Sequence, residues 1–237
     1  MYTFNIKLAN LNIHISTIYR NSVDLCRNYL IDDNLSDFNV VINQDCIDEE
    51  RSNCDFDYSD GYLETIALYR QIGNILPIYS GLIMHGACIE YKNKGYMFVA
   101  PSGTGKTTHI NLWLKHLRGV RVINGDKPII RLIDNKPVIF GTPWNGKERM
   151  GDNCSCILDS IIVLNRGVID KIEEIGTNEC IDDLINKIYI PKDKMIECFD
   201  LVNSMFKDIK LYRLECTMND SAFVTSFEAL TGGKYEG

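Results

Sequence analysis

The sequence predicts an α/β fold: a mixed β-sheet core over residues 81–237, preceded by a small N-terminal α+β region over residues 1–80. Three observations carry this reading. Apolar β-type runs such as GYMFVA and SIIVLNR alternate with segments of helical periodicity such as THINLWLKHL. Two pairs of runs flank short polar turns, KNKG and DNK, as hairpins do. One apolar run enters a glycine-rich stretch that opens directly into a helix.

Taken in order, YTFNIKLANLNIHISTIY alternates apolar and polar with a phase change at Ala9 and Asn10, predicting two strands joined by a turn. NSVDLCRNYLI reads as a short helix and DFNVVIN as a strand, while the acidic segment from Asp45 to Asp60 reads as irregular. YLETIALYRQIGNIL puts Leu63, Ile66, Ala67, Tyr69, Ile72 and Leu76 on one helical face. GLIMHGACIEY and GYMFVA form a predicted hairpin with its tip at Asn93 and Lys94. The next helix carries Ile110, Trp113, Leu114 and Leu117 and stops at Gly119. GVRVING reads as a buried strand, and PIIRLIDNKPVIFGTPW as a hairpin turning at Asp134–Lys136. Strands SIIVLNR and KLYRLEC and helices ECIDDLINKIY, KMIECFDLVNSMF and DSAFVTSFEAL complete the chain.

Bulk properties exclude several functional classes. With 45% hydrophobic and 24% charged residues, the 237-residue chain has the composition of an ordinary globular protein with no membrane-length apolar run. The N-terminus lacks the basic start and apolar core of an export signal, so a cytoplasmic location is expected. A net charge of −7 argues against an extended nucleic-acid surface, though a local basic pocket for a small anion is compatible with it. The nine cysteines are scattered without zinc-type spacing and read as reduced thiols.

The stretch APSGTGKT, residues 100–107, has the Ala/Gly, four residues, Gly-Lys-Ser/Thr form of a phosphate-binding loop. Gly103 and Gly105 stand where the backbone must bend sharply and approach a ligand closely. In such a loop, residues Ser102, Gly103, Thr104, Gly105, Lys106, Thr107 and Thr108 cradle phosphates with backbone N–H groups and the helix start. Lys106 then neutralises the β and γ phosphates, and Thr107 offers a hydroxyl to Mg2+. The competing interpretation, a glycine turn capped by Thr104 or Thr107, leaves the preceding strand and following helix as coincidence.

Hairpin pairing brings further residues to this loop. The first tip places His85 opposite about Ser102, and the second places Asp126 opposite about Pro143. A right-handed crossover lays GVRVING beside the loop strand, so His85, Lys106, Asp126 and the TPWNGK segment converge. His85 also suits a hydrogen-bonded structural role, and Asp126 a turn. Trp144 suits core packing or a substrate platform equally, and Lys147 and Arg149 suit solvent or anion contact.

With those residues in place, HGACIEYKNKGYMFVAPSGTGKTTHINLWL followed by VRVINGDKPIIRL resembles the C-terminal catalytic domain of HPr kinase/phosphorylase and, more distantly, ATP-dependent phosphoenolpyruvate carboxykinase. The likeness covers about residues 81–147. It implies a mixed-sheet P-loop kinase core of that type, with Thr107 and Asp126 holding Mg2+ and with Asp126 or His85 orienting or deprotonating a serine hydroxyl. The chain departs from the relatives' paired aspartates, having Gly125-Asp126-Lys127, and GTPWNGKERMGDN stands where they carry a glycine-rich arginine signature. Lys147 or Arg149 would then supply the extra positive charge. The expected activity is ATP- and Mg2+-dependent transfer of a γ-phosphoryl group to a hydroxyl, foremost serine of a peptide or protein. A small-molecule kinase, a phosphorylase, and a non-catalytic nucleotide sensor remain alternatives, and homo-oligomerisation stays open.

Overall fold

A computed structural model describes residues 1–33 and 35–236. The N-terminal strands β1 (Tyr2–Leu8) and β2 (Leu11–Thr17) form a hairpin whose turn residues Ala9 and Asn10 both take positive φ. Helix α1 (Arg20–Leu25) follows, then β3 (Leu30–Ile31) and β4 (Phe38–Val41), closing a four-stranded sheet of order β3-β1-β2-β4.

The segment read as irregular contains a helix, α2 (Gln44–Ser52). It has a single aliphatic residue, Ile47, and so no apolar stripe to announce it, yet the Asn43 side chain caps Cys46 N–H and Glu50 pairs with Arg70 at 2.5 Å, which hold the helix in place. Helix α3 (Asp60–Ile75) buries Leu63, Ala67, Leu68 and Ile72 against the sheet. The same apolar cluster takes in Ile83, Ile129 and Phe140, so the core of the first 80 residues continues into the rest of the chain.

GLIMHGACIEY is two strands rather than one: β5 (Gly81–Ile83) and β6 (Ala87–Tyr91) pair with different partners, and His85–Gly86 lies at the break. Strand β7 (Lys94–Val99) pairs with β6 through a turn at Lys92 and Asn93, both at positive φ, one residue earlier than the expected tip. That register levels His85 with Ala100, not Ser102. Helix α4 (Lys106–His116) leads to β8 (Arg121–Asn124), which pairs antiparallel with β6. The strand expected beside β7 is therefore one place further out, because the tight β6–β7 hairpin already occupies that edge. The hairpin β9 (Ile129–Ile133) and β10 (Lys136–Phe140) turns at Asp134 and Asn135 as expected.

The long strand β11 (Ser155–Arg166) joins the two halves of a nine-stranded mixed sheet. Its first residues pair antiparallel with β10, and the rest lie parallel to β7 on one side and β13 (Lys210–Cys216) on the other. Strand β12 (Lys171–Glu174) pairs with β13. The predicted helix ECIDDLINKIY is confined to α5 (Ile181–Ile185); beyond it the chain turns extended, where Ile188 bridges Met84 and Tyr189 N–H donates to Ile83 O. Helices α6 (Met195–Phe206) and α7 (Asp220–Thr231) cover opposite faces, α6 with Met84 and Val163, α7 with Trp113 and Phe98. All nine cysteines are free thiols, and no helix among the described residues is long and apolar enough to cross a membrane.

Candidate functional site

The loop between β7 and α4 has the bends its glycines suggested: Gly103 sits at φ 76° and Gly105 at φ 131°, where any side chain would strain the backbone. Lys106 begins the helix and is buried, with Nζ donating to Ala100 O at 3.0 Å across the mouth of the loop. Burial pushes its ammonium below the ordinary value; nearby Lys187 works in the same direction and Asp126 against it. Arg166, at the end of β11, donates to Gly103 O at 2.6 Å and Thr104 O at 3.3 Å, tying the loop to the central strand.

Asp126 is held by its neighbours on every side. The buried Asn124 side chain accepts from Asp126 N–H and Lys127 N–H at 2.8 Å each, and its amide donates to Thr142 O and Oγ1 at 3.1 Å each. Thr142 Oγ1 in turn donates to Lys127 O at 2.7 Å, which extends the pairing level of the β9–β10 hairpin to the residues just before β9 and the start of the TPWNGK segment. The carboxylate meets His85 Nε2 at 3.2 Å through Oδ1 and Lys127 Nζ at 3.1 Å through Oδ2. Burial alone would raise this carboxyl, but the His85 hydrogen bond and the Lys127 ammonium outweigh it and hold it below the usual range. His85 is itself fixed by backbone bonds, its N–H to Lys187 O at 2.6 Å and Gly86 N–H to Asp126 O at 2.9 Å.

The sequence candidates thus separate into three groups. His85 and Asp126 touch, and Lys106 lies within electrostatic range of Asp126. Lys147 and Arg149 are exposed; Gly146, beside Lys147, is at φ 82° and a Cβ there would stand 3.1 Å from Asp126 Cβ, so this loop closes over the carboxylate by its backbone. Trp144 is a packing residue: Nε1 donates to Thr65 O at 3.1 Å and its ring meets Tyr69 edge-on at 5.5 Å.

Three participants were missed by sequence reasoning. Lys127 was visible as a neighbour of Asp126, but the orientation of its side chain, with Nζ 5.5 Å over the Tyr69 ring, was not. Asn124 carried a signal, since an Asn side-chain oxygen accepts from the backbone N–H two residues on in an Asx-turn. Lys187 carried none, because a long-range bridge brings it in.

Chemically, the site offers a loop bent at two glycines, a buried ammonium, and one ionised carboxylate shared by an imidazole and a second ammonium. Among the described residues, no group of three or more His, Cys, Asp or Glu forms a cage for a metal ion by itself. No family model matches the chain, and no curated protein matches it. Among solved structures, the chain is similar to the Hpr(Ser) kinase/phosphatase from Coxiella burnetii, at 10% identity and a TM-score of 0.32 over 64% of this chain and 99% of that one.

Proposed function

We propose that the protein is an ATP-dependent kinase that transfers the γ-phosphoryl group to a hydroxyl, foremost serine of a peptide or protein. The single observation that carries this reading is the convergence of His85, Asp126 and Lys106 beside the Gly103–Gly105 bends. Backbone N–H groups of Ser102–Thr108 bind the phosphates, and Lys106 balances charge on the β and γ oxygens. The acceptor oxygen forms its bond to Pγ as the bond from Pγ to the leaving oxygen of ADP breaks, and the acceptor proton passes to Asp126. A loose transition state asks little basicity of that carboxylate, so a group held ionised below its usual range suffices to orient the hydroxyl.

The donor set fits Mg2+ delivered with the nucleotide. Such an ion takes one or two protein oxygens and completes its shell with phosphates and water. Thr107 Oγ1 and the remaining lone pairs of Asp126 supply those oxygens. When bound, the ion neutralises negative charge on the phosphates.

One feature favours a second reading, a nucleotide-binding sensor without turnover: Lys127 stands beside a lone Asp126 and already engages one of its oxygens. The two readings separate in one experiment. Radiolabelled Mg-ATP is offered to the protein with serine peptides, lysate proteins and small alcohols. A labelled acceptor that disappears with Lys106→Ala, in a variant with an unchanged melting profile, is expected for the kinase. Retained transfer in that variant refutes the assignment, and tight ATP binding without any labelled acceptor selects the sensor.

A further inference from the structure

Three aromatic side chains lie open to solvent at the junction of α2 and α3. Phe56, Tyr58 and Tyr62 are 71%, 38% and 47% exposed, and they touch in series, with ring centroids 6.1 Å apart from Phe56 to Tyr58 and 4.9 Å from Tyr58 to Tyr62. Single exposed apolar residues are ordinary, but a contiguous aromatic group on a surface marks a place where a partner takes it out of water. The loop that carries it is braced by Arg51, which donates to Tyr58 O at 3.2 Å and pairs with Asp60. The patch is thus held in shape before anything binds.

The charge around the patch says what that partner carries. Residues 45–60 hold seven carboxylates and one arginine, so this stretch accounts for six of the seven net negative charges of the whole chain. Glu50 is paired with Arg70 and Asp60 with Arg51, whereas the exposed Asp45, Asp48, Glu49 and Asp55 have no cationic partner among the described residues. Asp55 and Asp57 bracket Phe56 in the chain, and both are open to solvent. Such a surface repels nucleic acid, an anionic membrane and a second copy of this chain alike. Arginine suits it on both counts, since a guanidinium stacks on an aromatic face and forks onto a carboxylate.

Helix α3 links the patch to the candidate site. Tyr62 and Tyr69 stand two turns apart on one side of it, about 10 Å along its axis. The Tyr69 ring meets Trp144 edge-on and lies 5.5 Å from Lys127 Nζ, the ammonium that engages Asp126. An extended peptide, at about 3.3 Å per residue, covers the interval along α3 with about three residues. We propose that the Phe56–Tyr58–Tyr62 patch and its carboxylates dock an arginine-containing segment of the acceptor protein, a few residues from the serine presented to Asp126. This inference rests on the kinase reading above and gives it a substrate class.

Fluorescence anisotropy of labelled serine peptides titrated with the full chain tests it. One peptide carries an arginine cluster about three residues from its serine, and its counterpart has glutamine in place of each arginine. The arginine peptide is expected to bind at least tenfold tighter, and to lose that advantage between about 0.1 and 1 M NaCl, where the screening length falls from about 10 to about 3 Å. Two double variants, Phe56→Ser with Tyr62→Ser and Asp55→Asn with Asp57→Asn, are each expected to weaken the arginine peptide at least tenfold and to raise its KM in step, with kcat, Mg-ATP affinity and melting profile unchanged. The charge variant removes only exposed groups, so its fold is not at stake. Equal affinity for the two peptides, or wild-type affinity in both variants, overturns the docking surface and leaves the kinase reading standing. Self-association of the wild-type chain that disappears in the aromatic variant gives the patch to a second copy and likewise overturns it. Tight binding of the arginine peptide without transfer to any peptide at saturating Mg-ATP removes the kinase reading, and the acceptor role of this surface with it.

Discussion

Asp126 shows what single residues reveal and hide. Its position after a strand, one helix beyond a glycine loop, was readable from order alone; that both its oxygens are engaged, by His85 and by Lys127, depends on side-chain directions that order does not encode. His109 is the opposite case: in sequence it is one more residue of a helix start, and only burial makes it informative. Its folded-state pKa of about 4 lies below the ordinary 6.5, so between those values the unfolded chain binds more protons than the folded one. Stability contributed by this ring is therefore complete above pH 6.5 and is lost as pH falls towards 4. The loss amounts to roughly 3 kcal/mol by linkage. Urea denaturation from pH 7 to pH 4 should show that slope in the wild-type protein and a flatter one in His109→Phe; parallel slopes would show that the ring is not held neutral.

Among the elements, hairpins were the most legible and helices of mixed composition the least. The Asp134–Asn135 turn fixed the level of β9 and β10, and that level placed Lys127 opposite Thr142. The β6–β7 tip was misjudged by one residue because Lys92, Asn93 and Lys94 all suit a turn and only backbone torsions distinguish them. Helix α2 was invisible because it has a single aliphatic residue and is held by the Asn43 cap and the long-range Glu50–Arg70 pair, neither of which shows as periodicity. The β8 exit depends on Asn124, whose side chain satisfies two backbone N–H groups and a threonine at once. Asn124→Ala should cost about 2–4 kcal/mol, since it leaves several buried partners unpaired. Thermal melting measures the loss directly, and a variant as stable as the parent would mean that water replaces the amide.

At the level of the whole molecule, the sequence suggested an accessory region ending near residue 80. The apolar packing does not respect that boundary: Ile83, Ile129 and Phe140 share a cluster with Ile6, Leu68 and Ile72, and Arg131 donates to Ala9 O at 2.6 Å. Trp144 and Tyr69 add a contact beside the carboxylate. None of this was visible in advance, because long-range packing between a helix and a distant hairpin leaves no local periodicity. Residues 81–237 produced alone should therefore lack a cooperative thermal transition, having lost the cover of a buried apolar face. A sharp transition in that fragment would restore an independent domain.

The central strand β11 has a kinetic consequence. Ser160 is paired both with Tyr96, far upstream, and with Lys210, far downstream, so neither edge is made by neighbours in the chain. Two long loops must close before the middle of the sheet is zipped, and entropy makes such closures slow. Newly synthesised chains would spend that interval with Ile161–Leu164 bare, leaving assembly of this strand as the step at which a chaperone has most to protect.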